Sequence, residues 1–286
     1  MTLQPCAESP CAPLCGSAPT ATRGWLLIEH PGPWPAFGYP PDLPAALARA
    51  ADRLLAEGVR PQLIRRTDRV GRRGDGMRAV FLAGGGPHRR WIERIEPDRL
   101  TDARLTPRLT AAAFGSGRAP RLGRAAGPLL LVCTHGQREV CCARFGRPVA
   151  VALAARFGPL VWETTHVGGD RFAANLVLLP EGAYFGQLDP PRAVAVAERA
   201  LGGQVDLDAY RGTAGHSAAA QSAEWHLRRN LAEPSLTALR PLPPAPPEPD
   251  LYRFAHLGPD GIEARYAVRV QAARYGYRLV EITSAG

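Results

Sequence analysis

Two pairs of side chains stand out for what they could ligate. Cys133 and Cys142 are nine positions apart in CTHGQREVCCARFGRP, and His166 and Asp170 are four apart in HVGGD. Each pair follows an apolar run that reads as a strand, Pro128 to Cys133 and Leu160 to Glu163. Two thiols, an imidazole and a carboxylate make a set of four donors. Such a set suits a 2Fe-2S cluster, which takes two protein ligands per iron and accepts histidine for cysteine on one of them. It would equally make a tetrahedral zinc site. The Val-Gly-Gly between His166 and Asp170 lets backbone approach a bulky group closely, and its N–H groups could hydrogen-bond cluster sulfurs.

Other readings of the same residues compete. A thioredoxin-like thiol oxidoreductase would use Cys133 with Cys141 or Cys142, but the C-x-x-C that such chemistry usually needs at a helix N-terminus is missing. Without a metal, Cys133 and Cys142 would be small buried apolar residues. His166 would then be a core histidine bonded to Asp170, in a clusterless interaction protein. Cys141 reads as structural, since a disulfide with its neighbour Cys142 would be strained. No pair of carboxylates stands out as positioned for glycoside hydrolysis.

The elements that must hold these residues read as an α/β chain. After an irregular leader over 1–22, Trp25 to Glu29 is a buried strand. A helix follows, with Asp42 as N-cap, Leu43, Leu47, Ala51, Leu54 and Leu55 on one face, and Gly58 ending it. Strands are expected at 60–66, 78–83 and 90–96, with Gly84 to Gly86 as a hairpin turn rather than a phosphate cradle. A connection rich in Arg, Gly, Pro and Ala runs from 101 to 127. The order then repeats: the strand ending at Cys133, a helix from Arg147 to Phe157 opened by Pro148, a strand at 160–163, a hairpin around Glu181-Gly182, and a helix from Pro191 to Leu201 capped by Asp189.

That repeated order suggests two tandem thioredoxin-like units, 23–115 without cysteines and 125–230 with them. A helix over 218–229, a Pro-rich linker over 231–250 and a small antiparallel β appendage over 251–286, turning at Pro259-Asp260-Gly261, complete the chain.

Composition narrows the setting. The 286 residues, 45% hydrophobic, can bury a sizeable core. No stretch reaches 18 apolar residues, and the N-terminus lacks the basic and apolar regions of a secretory signal, so the expected compartment is the cytoplasm. Six cysteines there argue for metal or redox chemistry rather than a disulfide framework. Cys6, Cys11 and Cys15 sit in the leader and read as free. The formal charge of +9 comes with no lysine at all, so all 35 basic residues are arginine. The densest groups, Arg65 to Arg73 and Arg89 to Arg94, fall around turns as solvated faces, which weighs against a nucleic-acid partner. His30, His88, His216, His226 and His256 have no partner at ligand spacing.

Together the residues resemble the sucrase/ferredoxin-like family. The likeness rests on Cys-Thr-His-Gly at 133–136, the Cys141-Cys142 pair, Trp162, His-Val-Gly-Gly at 166–169, Arg171-Phe172-Ala173, and Leu179-Pro-Glu-Gly with Tyr184 and Gly186. Gly16-Ser-Ala-Pro, the strand at 25–29 and Pro31-Gly-Pro-Trp34 extend it over about residues 6 to 230. The resemblance implies an electron-transfer or redox-sensing protein with a 2Fe-2S cluster, exchanging electrons with a reductase or acceptor protein. In fungal relatives it implies ligands at C-x8-C and H-x-G-G-H. Here the cysteines fall on Cys133 and Cys142 and the first histidine on His166, while Asp170 replaces the second. Asp170, His135 and Cys141 are the candidates for the fourth place, and Asp170 leads because it keeps the spacing. Its anionic oxygen would make the cluster harder to reduce than a second imidazole would. Arg171 would offset cluster charge or help dock the partner.

Overall fold

The computed structural model describes residues 13–68, 79–84, 90–96, 106–115, 117–243, 248 and 250–285. Cys6, Cys11, Gly85, Gly86, His88, Arg89 and the arginines between 69 and 73 lie outside them.

The first half runs β1 (Gly24–Glu29), α1 (Ala45–Ala56), β2 (Val59–Arg65), β3 (Val80–Gly84) and β4 (Trp91–Ile95). A short α2 (Ala111–Gly115) and β5 (Arg124–Ala125) lie in the connection. The second half then runs β6 (Leu129–Cys133), α3 (Val140–Phe157), β7 (Val161–Thr164), β8 (Leu176–Leu179), β9 (Ala183–Phe185) and α4 (Pro190–Leu201). In each half the strands joined by a helix are parallel neighbours, and the next strand adds antiparallel on the other side. The orders are β2-β1-β3-β4 and β7-β6-β8-β9, the same thioredoxin-like arrangement twice.

A short antiparallel pairing of β2 with β7, Ile64 opposite Thr164 and Arg65 opposite Glu163, fuses the halves into one ten-stranded sheet. β10 (Tyr210–Thr213), which had no clear sequence signal, closes its other edge beside β9. Arg65 also donates to the buried Glu163 carboxylate at 2.7 Å, and Thr134 donates to the same oxygen at 2.8 Å. The seam is thus tied by charge-assisted hydrogen bonds as well as by the ladder.

Strands β1 and β6 are buried along their whole lengths, as their unbroken apolar runs require of strands covered on both faces. On one face of the first half, α1 lays Leu47, Ala50, Ala51 and Leu54 over Leu26, Ile28 and Leu63. In the second half, Val149, Ala150 and Leu153 of α3 and Val196 and Ala197 of α4 cover Leu130, Val132 and Leu176. The opposite face gathers residues of both halves, among them Trp25, Phe81, Leu131, Cys133 and Trp162, into one core. Phe81 on β3 and Trp162 on β7 are three strands apart, about 14 Å along the sheet. Their rings nonetheless meet edge to face at 5.5 Å. The sheet therefore curls until its two halves pack against each other.

Two local expectations are corrected. Asp42 does not cap α1: Pro44 holds the position before the helix without a side-chain bond. Asp42 pairs instead with the imidazole Nε2 of His30 at 3.1 Å, which gives that histidine a partner. The restriction that a proline places on the residue before it keeps Leu43 out of the helix and leaves Asp42 too far from the first turn to cap it. The second correction is that α3 begins at Val140, seven residues before its expected start at Arg147, and continues through Pro148. By contrast, Asp189 caps α4 as expected, accepting from the Arg192 N–H at 2.8 Å.

Beyond the large sheet, α5 (Ala218–Leu231) carries a separate antiparallel sheet of β11 (Leu239–Pro241), β12 (Leu251–Leu257), β13 (Glu263–Ala272) and β14 (Tyr277–Ala285). The small residues Ala219 and Ala223 with Leu227 let α5 approach Phe254, Val268 and Val270. β11 falls inside the run read from sequence as linker. No helix among the described residues is long and apolar enough to cross a membrane.

Candidate metal centre

Cys133 ends β6, where its N–H donates to the Asn175 carbonyl at 3.1 Å. The chain then turns through Thr134 to Glu139 into α3, and Cys142 sits in the first turn of that helix. What brings the two cysteines together is the packing of α3 back onto β6. Gly146, one turn beyond Cys142, lies so close that a Cβ would strike the Cys133 carbonyl. Both sulfur-bearing residues are buried.

The second ligand loop leaves β7 at Thr164 and is held largely by the first half. Leu63 of β2 exchanges two hydrogen bonds with Thr165, at 2.9 and 3.1 Å, and Gln62 and Arg60 each donate at 3.3 Å to the carbonyls of His166 and Val167. Gly168 and Gly169 are both left-handed, with φ of +88° and +75°. A side chain at Gly169 would also collide with the guanidinium of Arg211.

That guanidinium is almost fully buried. It donates to the Gly168 carbonyl at 3.0 Å, to Asn175 Oδ1 at 2.7 Å, and to Ser17 through its Oγ and carbonyl at 3.0 and 2.6 Å. Asn175 in turn donates to the Gly169 carbonyl at 2.9 Å. Phe172 and Tyr184 flank the guanidinium at 5.1 and 5.6 Å. The loop is thus fixed at its carbonyls from two sides.

His135 has no ring nitrogen to spare. Its Nε2 donates to the Pro35 carbonyl at 2.9 Å, which leaves Nδ1 as the acceptor for the His166 N–H at 3.3 Å. This assignment follows from the bonding pattern, since a neutral imidazole carries one donor and one acceptor. Burial pushes its pKa down and favours that neutral form. The Trp34 ring stands against it, centroids 6.0 Å apart. His135 therefore orients the His166 backbone.

The ligand atoms of Cys133, Cys142 and His166 all lie within 4.8 Å of one another, the one such group among the described residues. His166 Nδ1 is 3.6 Å from the Cys142 sulfur. Asp170, on a 3-10 turn just beyond Gly169, stands outside this group, but its charge reaches Cys142. Cys141 is buried and also outside it. The two central thiols are shifted in opposite directions. A hydrogen bond from Cys142 holds Cys133 well below the usual thiol range against the burial that opposes it, with His166 and the main chain of His135 and Val167 adding. The same bond, burial and the nearby negative charge push Cys142 up. Two cysteine sulfurs beside an imidazole nitrogen are a soft donor set suited to a thiophilic metal. Cys15, the leader cysteine among the described residues, is half-buried near Ser222, and burial raises its pKa.

A family model described as sucrase/ferredoxin-like matches residues 20–212. The chain belongs to this family. The matched span of this sucrase/ferredoxin-like protein contains Cys133, Cys142, His166 and Asp170, and also Arg60, Asn175 and Arg211, which fix the second ligand loop. No curated protein matches the chain. Among solved structures, a cysteine-to-serine variant of the thioredoxin-like 2Fe-2S ferredoxin from Aquifex aeolicus is similar. It is 18% identical, with 29% of this chain and 97% of that chain covered and a TM-score of 0.27.

Sequence reasoning did not find Arg211, Asn175, Gln62 or Arg60. Arg211 lies on β10, and its partner Ser17 is 194 positions away. No local pattern marks a contact of that span.

Proposed function

We propose that this sucrase/ferredoxin-like chain is an electron-transfer or redox-sensing protein that holds a 2Fe-2S cluster through Cys133, Cys142 and His166, with Asp170 as the fourth ligand. The observation that carries the reading is the convergence of two sulfurs and an imidazole nitrogen within 4.8 Å. The donor set fits, since cysteine and histidine together hold such clusters. Bound there, the cluster would supply reversible one-electron exchange, with a reductase or electron acceptor protein as partner.

The chain's own residues do the rest. Cys133 and Cys142 are shielded from bulk water, which favours a stable centre and tunes its potential. His135 fixes the backbone of His166, and Arg211 with Asn175 fixes the glycines that follow it.

A second reading is a mononuclear zinc site. With metal–sulfur bonds of about 2.3 Å, the edge of a tetrahedron is about 3.8 Å. The 3.6 Å between His166 Nδ1 and the Cys142 sulfur favours this reading as well. Anaerobic purification followed by a visible spectrum and iron, sulfide and zinc analysis separates the two. Coloured protein with two irons and two sulfides per chain supports the cluster, and a changed spectrum in Asp170→Ala supports that residue as fourth ligand. Colourless protein with one zinc establishes the second reading, and protein with neither metal overturns both.

A further inference from the structure

An open cleft of about 620 Å³ lies at the second ligand loop, lined by Ser17, Arg60, Gly168, Asp170, Arg171 and Arg211 among others. Its walls come from the N-terminal segment, β2, the loop itself and β10, so residues of both halves build it. Three guanidinium groups face one carboxylate there. Arg211 is a fixed positive charge, committed to Ser17, Gly168 and Asn175. Burial brings its pKa to about 10, and the charges of Arg171 and Arg60 act in the same direction, yet it stays protonated at neutral pH. Arg60 donates one N–H to the Val167 carbonyl, while its Nε is buried with no hydrogen-bond partner among the described residues. Arg171 is exposed and lies against the Phe172 ring at 4.8 Å.

Clustered like charges repel, and an oxyanion held between the guanidinium groups relieves that repulsion. We propose that this cleft binds a small dianion, inorganic phosphate or the phosphate group of a small monoester, through Arg60 and Arg171 with Arg211 as the fixed charge behind them. The planar fork of a guanidinium matches phosphate oxygens two at a time, and two such groups suit a doubly charged ion. The cleft is concave and local, which fits a small ligand rather than the extended backbone of a nucleic acid. The inference rests on the arginines and the cleft alone and is independent of which metal the thiols hold.

Calorimetric titration of phosphate into the full chain, at a fixed chloride concentration of about 0.15 M, tests it. One saturable site is expected. Arg171→Gln, a surface change that leaves the fold intact by circular dichroism, should weaken it about tenfold or more, the scale of one charge-assisted hydrogen bond. Arg60→Gln should do the same. Glycerol phosphate in a parallel titration distinguishes the source: tighter binding than phosphate identifies a monoester, equal or weaker binding the free ion. Absence of saturable phosphate binding, or binding unchanged in both variants, overturns the proposal.

Discussion

The Nδ1 of His166 faces the sulfur of Cys142 across 3.6 Å, although the two residues sit on different elements, one in a loop and one in a helix. Cys141, one position earlier on that helix, is outside the group. Cys142→Ser should therefore abolish tight metal retention while Cys141→Ser keeps it, read as metal per chain after gel filtration. Equal loss in both variants would reject the assignment.

Gly146 is the hinge of the cysteine pair, because its missing side chain lets α3 rest on the carbonyl of Cys133. In a free helix, alanine would gain about 1 kcal/mol over glycine. Here the collision is with backbone, which cannot swing aside. Gly146→Ala is expected to destabilise the chain by about 1–3 kcal/mol, the usual cost of overpacking a core. Urea unfolding measures it, and a stabilised variant would show that α3 can shift.

Much of this centre was legible because strands place ligands in a predictable way: Cys133 and His166 follow apolar runs that had to be buried. The start of α3 was not legible. Pro148 is at home in a first turn, so it read as the helix opening. Yet Cys142, Gly146, Val149, Ala150 and Leu153 form one buried helical face that passes through it, and packing of that face outweighs the lost hydrogen bond. The repeated strand order was readable, whereas the curl of the sheet that joins Phe81 to Trp162 was not, since it depends on the seam between β2 and β7. Contacts such as Arg211 to Ser17 leave no periodic trace.

Arg211 offers a test of how firmly the second ligand loop is held. Replacing it with Met removes the donors that satisfy Gly168, Asn175 and both Ser17 acceptors. Each of these four acceptors left unpaired costs about 1–3 kcal/mol, so a total of roughly 4 kcal/mol or more is expected. Arg211→Lys should recover little, because an ammonium cannot span that fork of acceptors. Thermal unfolding of both variants checks it, and full rescue by lysine would mean that charge alone matters.

The C-terminal sheet is tied to the end of α5 by Glu233 and His256, whose side chains meet at 2.8 Å with only 14% and 13% of their surfaces exposed. Burial would raise the Glu233 pKa, but the hydrogen bond from His256, the Ser235 N–H and nearby positive charge outweigh it and hold the carboxyl below its ordinary 4.5. A folded-state pKa lower than the unfolded one means that unfolding takes up a proton. This contribution to stability is therefore complete above the unfolded value of 4.5 and is lost as the pH falls through the lower folded value. Glu233→Gln should remove that part of the acid sensitivity. Denaturant unfolding of wild type and variant between about pH 6 and pH 3 measures the difference, which should shrink as the medium becomes more acidic. A difference that stays constant across the range would show that the glutamate acts through packing rather than charge.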